Sequence, residues 1–258
     1  MSTSDDILLI SKENGVLRLT LNRPDQRNAL NDDLIARLTD AFTTASSDPE
    51  VRVIVLGATG EKAFCSGADL KGGTFDFDYA EPRSNYADML RAGRRTTVPV
   101  IGRINGYCLA GGMGLLAICD MAIASESAKL GMPEVKVGLF PMQVAALLQS
   151  MIPPRIFAEM CYTGEMIGAD EALRFGLVNK VVPPDMLDEA VDEMAGRIAA
   201  NSPAAIRRGK YALATTAGLT PDQALDVMEA QAGLMPLTED AREGMAAFAE
   251  KRAPRWTG

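Results

Sequence analysis

The sequence predicts an α/β core followed by a helical C-terminal part, and three observations carry that prediction. Short aliphatic runs at Val16–Leu21, Val51–Leu56, Val98–Ile104, Met121–Ala124 and Val178–Val182 read as strands, and segments of helical spacing lie between them. Two glycine-rich turns each follow a buried strand and lead toward a helix. From Pro184 onward only helical patterns remain.

The elements follow in order. Ile7–Ile10 and Val16–Leu21 flank Glu13-Asn14-Gly15, and Asn-Gly between apolar runs is a hairpin signal. Leu30 to Ser46 places Leu30, Leu34, Ile35, Leu38, Ala41 and Phe42 on one helical face. Val51–Leu56 reads as a short buried strand broken by Gly57 and Gly60. Gly72 to Asn85 shows neither period and reads as a loop. Within it Phe75, Phe77 and Tyr79 alternate, which suits either a strand's buried face or the lid of an acyl pocket.

A strand at Val98–Ile104 precedes a helix opening near Gly111, and a further strand follows at Met121–Ala124. Helices are expected at Gln143–Ile152, Arg155–Tyr162 and Ala169–Phe175, then a strand at Val178–Val182. The last part holds helices at Asp185–Ala200, Pro203–Ala214, Pro221–Leu234 and Glu239–Arg252. Pro203 and Pro221 occupy first-turn positions, with Ser202 and Thr220 as N-caps.

Composition excludes several chemistries. The 258 residues include no histidine, so nucleophile systems that use an imidazole base are absent. Cys65, Cys108, Cys119 and Cys161 form no C-x-x-C pair, and no metal site is expected. Acid–base work falls to carboxylates, Tyr, Lys or Cys. A net charge of −8 disfavours nucleic acid or an anionic membrane surface as partner. Met1 to Ile10 lacks the pattern of a signal peptide, and Tyr107 to Cys119 is too short to span a bilayer. A cytoplasmic protein with reduced cysteines is the expectation.

The two glycine turns are Phe64-Cys65-Ser66-Gly67-Ala68-Asp69-Leu70 and Asn105-Gly106-Tyr107-Cys108-Leu109-Ala110-Gly111-Gly112. Small residues let a ligand approach the backbone, and free N–H groups at a helix start favour an anion. Two such turns converging on one oxygen would form an oxyanion hole. Downstream, Leu130-Gly131-Met132-Pro133-Glu134-Val135 sets a carboxylate in an apolar stretch. Between Asn105 and Pro154 the charged residues are Asp120, Glu126, Lys129, Glu134 and Lys136 alone. Such a carboxylate either faces water or has a raised pKa suited to proton transfer.

These motifs, with Asn22-Arg23-Pro24, Asn28-Ala29-Leu30, Cys119-Asp120, Thr163-Gly164-Glu165, Gly176-Leu177-Val178 and Val181-Val182-Pro183, occur in one order along nearly the whole chain. In that order the chain resembles the enoyl-CoA hydratase/isomerase (crotonase) family. The resemblance implies the crotonase (ClpP-like) fold, a repeated strand-turn-helix α/β core with a C-terminal helical region. Residues 1–200 would be the core that binds the CoA thioester, and 201–258 a helical oligomerisation region. It implies that the N–H groups of Ala68 and Gly111 bind the thioester oxygen as it becomes an enolate, and that Glu134 is the acid–base residue. Coenzyme A enters as part of the substrate, with no separate cofactor, and the assembly would be a homotrimer or homohexamer.

One departure matters. The family's second glutamate would stand three residues after Gly111, where this chain has Gly114. Members resembling 3-enoyl-CoA isomerases keep only the glutamate that corresponds to Glu134. Some hydratases of branched glutaconyl-type thioesters also lack the other glutamate, so the count weakens the hydratase reading without choosing its replacement. Hydration of a 2-enoyl-CoA leads, with 3-enoyl to 2-enoyl isomerisation as the alternative and a non-catalytic scaffold behind both. Dienoyl-CoA isomerases carry an acid where this chain has Met142, and aryl-CoA dehalogenases use a histidine that is lacking here. Phe140 and Met142 would fill space near the acyl end. For the CoA moiety the resemblance points to Arg27, Ala29, Lys62, Asp69, Leu70 and Lys71. It adds Phe248 and Lys251, which reach toward a CoA pocket that often belongs to a neighbouring subunit.

Two rivals belong to other classes. Gly112-Met113-Gly114-Leu115-Leu116-Ala117 fits a dinucleotide fingerprint, but the residues Asn105 to Ala110 intervene after the strand before it and Glu134 does not end a second strand. An RNA-binding member of the fold is opposed by the acidic balance.

Overall fold

The computed structural model describes residues 6–69, 80 and 83–257. Strands β1 (Leu8–Glu13) and β2 (Val16–Leu21) form an antiparallel hairpin. Asn14 and Gly15, with φ of +50° and +81°, supply the left-handed pair that a tight two-residue turn demands. Helix α1 (Asp32–Ser47) starts at Asn31, whose side chain accepts from the Leu34 N–H. It leads to β3 (Val53–Ala58), which pairs parallel with β2.

The strand β3 corrects one expectation. It continues through Gly57, which sits opposite Thr20 in the ladder, because a glycine can adopt extended backbone like any other residue. Only Gly60, with φ of +77°, lies in the turn beyond it. From here the chain repeats one plan: a strand of the large sheet, a short strand of a second sheet, then a helix. The first repeat is β3, β4 (Ala63–Cys65) and α2 (Asn85–Arg95), and the second is β5 (Val100–Ile104), β6 (Tyr107–Leu109) and α3 (Gly111–Ala117). The third runs β7 (Met121–Ser125), β8 (Lys129–Gly131), a 3-10 turn at Pro133–Val137, α4 (Met142–Leu148) and α5 (Pro154–Thr163). Then come β9 (Met166–Gly168), α6 (Ala169–Arg174) and β10 (Lys180–Val182).

The large sheet has the order β1-β2-β3-β5-β7-β10 and the small one β4-β6-β8-β9. Both faces of the large sheet are covered, which is why β3 is buried at every position. Ile54 and Leu56 join the main core with α1 and α3, whereas Val53 and Val55 pack with Ile101, Ile123 and residues of α7 (Leu187–Ala199). The glycine turns are less alike than their sequences. The second runs through β6 straight into α3, but after the first no described helix begins before Asn85. Helix α2 was not expected at all, and the expected loop ends in its first residue.

Helices α8 (Pro203–Thr216), α9 (Pro221–Leu234) and α10 (Glu239–Glu250) close the chain. Ser202 and Thr220 cap α8 and α9 as expected. Arg207 fastens α8 to the core by donating to the carbonyls of Ser46, Asp48 and Val51, and Lys210 adds an ion pair to Asp120 at 2.6 Å. Helix α9 buries no residue within the chain. No helix among the described residues is long and apolar enough to cross a membrane.

Candidate active site

The site begins with Asn28. Its side chain is buried, accepts from the Arg23 N–H at 2.9 Å, and donates to the carbonyls of Thr59 and Ala63 at 3.0 and 2.8 Å. That amide fastens the Arg23–Leu30 segment to β4. Arg23 adds a clamp, donating to the Ala29 carbonyl and to the Asp69 carboxylate at 2.8 Å. Leu30 then pairs with Ala68 as an isolated parallel bridge. The Leu30 N–H donates to Gly67, and the Asp69 N–H donates to Leu30, both at 2.8 Å. In a parallel bridge the central residue turns its own N–H away, so Ala68 points its donor to the opposite side.

The second turn lies directly against the first. A Cβ built on Gly67 would lie 2.7 Å from the Ala110 Cβ and 3.3 Å from the Gly111 nitrogen. One on Gly112 would meet the Cys65 carbonyl oxygen at 2.4 Å. Glycine is required at both positions because backbone touches backbone. Ala110 has φ of +50°, and its N–H donates to Gly131. Gly111 is the first residue of α3, so its N–H has no acceptor within the helix.

Ala68 and Gly111 both line a cavity of about 560 Å³. So does Glu134, presented by the turn that follows β8 with Pro133 in its first position. Gly164, at φ of +64°, lets α5 end close against Pro133, and Lys136 pairs with Glu165 at 2.8 Å. Glu134 is half-buried, and its Oε2 is buried with no hydrogen-bond partner. Burial pushes its carboxyl above the ordinary glutamate value. It is the one carboxylate on the described cavity wall. Two donors on one wall and a carboxylate poised to take a proton can form and quench an enolate.

The cavity brings together Ala68, Gly111, Glu134, Phe140 and Met142. It does not bring in the whole expected CoA set. Arg27 and Lys62 are exposed beside the first turn, and their carbonyls accept from Ser66 and Tyr107. Ala29 is buried, with its carbonyl on Arg23. Asp69 has its N–H and carboxylate engaged within the chain. Leu70 and Lys71, like Phe75, Phe77 and Tyr79, lie outside the described residues. Phe248 and Lys251 are at the end of α10, off the cavity wall, and Phe248 is 87 % exposed.

Sequence reasoning missed Tyr86. It lines the same cavity from α2, and its hydroxyl donates to the Gly111 carbonyl at 2.7 Å. Ser84 caps α2 and also accepts from Gln143 at 2.6 Å, tying that helix to α4. The Ser84 cap was the one local signal for α2.

A model of the enoyl-CoA hydratase/isomerase family matches residues 11–258. The chain belongs to that family. Its relatives include an (E)-benzylidenesuccinyl-CoA hydratase of Thauera aromatica, 36 % identical over 95 % of this chain and 96 % of that one. A crotonyl-CoA hydratase of Syntrophomonas wolfei is also 36 % identical, over 95 % of each chain. Among solved structures, an enoyl-CoA hydratase from Bacillus anthracis superposes with a TM-score of 0.91 at 34 % identity, covering 98 % of this chain and all of that one. One from Mycobacterium smegmatis gives 0.89 at 36 %, covering 98 % and 99 %. The fold is the crotonase fold that the motifs implied, and this enzyme family acts on acyl-CoA thioesters.

Proposed function

We propose that this enzyme adds water to the double bond of a 2-enoyl-CoA thioester. The observation that carries the reading is one cavity lined by Glu134, with an unpartnered buried oxygen, and by Ala68 and Gly111 of the two glycine turns, whose N–H groups would serve as the oxyanion donors. The thioester oxygen sits on those two N–H groups. Water attacks C3 while Glu134 takes one of its protons, and the π electron pair moves through C2 onto the thioester oxygen. The enolate is held by the two donors, each worth about 3–4 kcal/mol in a site of this kind. Glu134 then returns the proton to C2, and the thioester is restored.

Val137, Leu139, Phe140, Met142 and Val144 form an apolar wall beyond Glu134, suited to a hydrocarbon acyl group. Beside the first turn, Lys62 would meet the CoA phosphates and Arg27 the adenine and pantetheine. Leu213, Leu225, Leu237 and Phe248, each at least 65 % exposed, favour subunit packing through the C-terminal helices in a homotrimer or homohexamer. No cofactor beyond the CoA of the substrate is needed for this chemistry, and the cytoplasm is the proposed location.

A second reading has its own observation. With Glu134 as the single carboxylate on the described wall, the site could carry one proton from C2 to C4 and isomerise a 3-enoyl thioester. The test is a panel of straight and branched 2-enoyl-CoA and 3-enoyl-CoA thioesters, with mass analysis of the products. Gain of one water on a 2-enoyl thioester supports the hydratase. Mass-neutral conversion of a 3-enoyl thioester without hydration transfers the reading to the isomerase, and inertness toward both sinks each of them.

A further inference from the structure

A hydratase must do more than deprotonate water; it must aim a water lone pair at C3. One carboxylate oxygen fixes one hydrogen of a water molecule and leaves it free to swing. A second fixed polar group is needed for a near-attack geometry. Most polar side chains on the described cavity wall are already committed. Ser84 and Gln143 are bonded to each other, Lys136 is paired with Glu165, and Asn85 is tied to Asp32 and to the Tyr86 N–H. Two hydroxyls remain, Ser66 and Tyr86.

Tyr86 is the one whose oxygen is held in place. Its proton is donated to the carbonyl of Gly111, the residue whose N–H faces the thioester oxygen. The phenol oxygen therefore stands against the first turn of α3, on the wall of the same cavity, and offers lone pairs only. Burial pushes the phenol well above its ordinary pKa, with Glu134 among the charges acting on it in the same direction, so the hydroxyl stays neutral.

The space Tyr86 fills is informative. A Cβ on Gly114 would lie 2.0 Å from the Tyr86 hydroxyl oxygen and 3.1 Å from its Cζ. Any side chain at residue 114 would have to displace the ring. Gly114 and Tyr86 are therefore a matched pair: the glycine leaves a hole on α3, and a hydroxyl from α2 stands in it.

We propose that Tyr86 is a catalytic residue of this site, whose hydroxyl oxygen accepts a hydrogen bond from the attacking water and holds it between Tyr86 and Glu134. This rests on the hydratase reading above. One water hydrogen points to Tyr86 and stays on the oxygen as the new C3 hydroxyl. The other passes to Glu134 as the C3–O bond forms, and Glu134 later delivers it to C2. No atom is left over, and Tyr86 keeps its own proton on Gly111 throughout.

The experiment compares the parent with Tyr86→Phe, which keeps the ring in its hole and removes only the oxygen. Two reactions are followed: hydration of crotonyl-CoA, and exchange of the C2 protons of butyryl-CoA in deuterium oxide. Exchange uses Glu134 and the two backbone donors but no attacking water. The expected result is a fall of about 10²-fold in kcat for hydration, with KM and the C2 exchange rate unchanged. Hydration at the parental rate in Tyr86→Phe overturns the proposal and leaves Ser66 as the water's partner. An equal fall in both reactions also overturns it, because Tyr86 would then act only by holding Gly111. A parent protein that exchanges C2 protons yet hydrates nothing overturns the hydratase reading itself, and the proposal with it.

Discussion

Gly67 and Ala110 meet so closely that the Cβ Gly67 lacks would lie 2.7 Å from that of Ala110. Gly67 also has φ of +101°, a conformation that L side chains rarely adopt. Together these make the contact between the two turns dependent on one missing methyl group. Gly67→Ala should cost about 2–3 kcal/mol through strain and overpacking. By moving Ala68, it should also lower kcat about 10²-fold, as expected for one lost oxyanion donor. Denaturant unfolding and turnover on the same preparation check both numbers. Full activity in Gly67→Ala would mean that the spacing of the turns does not set the donor positions.

Glu134→Gln keeps the shape of the side chain and removes its ability to take a proton. Turnover should fall by about 10²–10⁴-fold, the usual worth of a positioned acid–base group. Binding of a saturated acyl-CoA, measured by titration calorimetry, should stay close to the parental value, since the CoA contacts proposed above do not include Glu134. Retained turnover would remove Glu134 from the mechanism.

What could be read from the sequence follows from how far each signal reaches along the chain. Strands β2, β3, β5 and β7 were legible because each holds five or six residues of mostly aliphatic character. The small sheet was invisible: β4, β6, β8 and β9 hold three residues each, too few for a period, and their pairings link distant parts of the chain. Yet this small sheet bears Ala68, Gly111 and Glu134 at or just beyond its strand ends. Those three were singled out through glycine turns and family motifs, without sight of the scaffold that brings them to one cavity. Tyr86 was not found, because its meaning depends on an empty space at Gly114, and sequence does not display empty space. Helix α2 stayed hidden for a related reason. It buries only Met89, Leu90 and Gly93, too sparse a stripe to register.

The pH dependence follows from the raised pKa of Glu134. As a base it must be ionised, so kcat/KM should fall on the acid side with a midpoint above the ordinary glutamate value. Stability should move the opposite way. The folded state binds this proton more tightly than the unfolded chain, so stability falls as pH rises from the unfolded toward the folded pKa. Above that window the ionised, half-buried carboxylate carries its full desolvation cost. Glu134→Gln should therefore be more stable than the parent at pH 8, and the advantage should vanish below the ordinary glutamate range. Thermal melts of both proteins across pH check this, and a gain independent of pH would show that burial of the charge is not its source.

Asn28 is the joint on which the first turn hangs, and its removal tests whether the site depends on a residue off the cavity wall. The side chain is 1 % exposed and all three of its hydrogen bonds are to backbone, on segments that are otherwise apart in sequence. Its φ of +55° suits asparagine better than alanine. Asn28→Ala leaves the Thr59 and Ala63 carbonyls and the Arg23 N–H without this partner, and should cost about 2–4 kcal/mol. Asn28→Asp keeps an acceptor for Arg23 but turns an anion toward two carbonyl oxygens, so it should be at least as damaging. Urea midpoints with an unchanged slope measure both. If Asn28→Ala lost less than about 0.5 kcal/mol, within the range of an ordinary surface change, water would be replacing the amide. The first turn would then be held by the Arg23 clamp and the Leu30–Ala68 bridge alone.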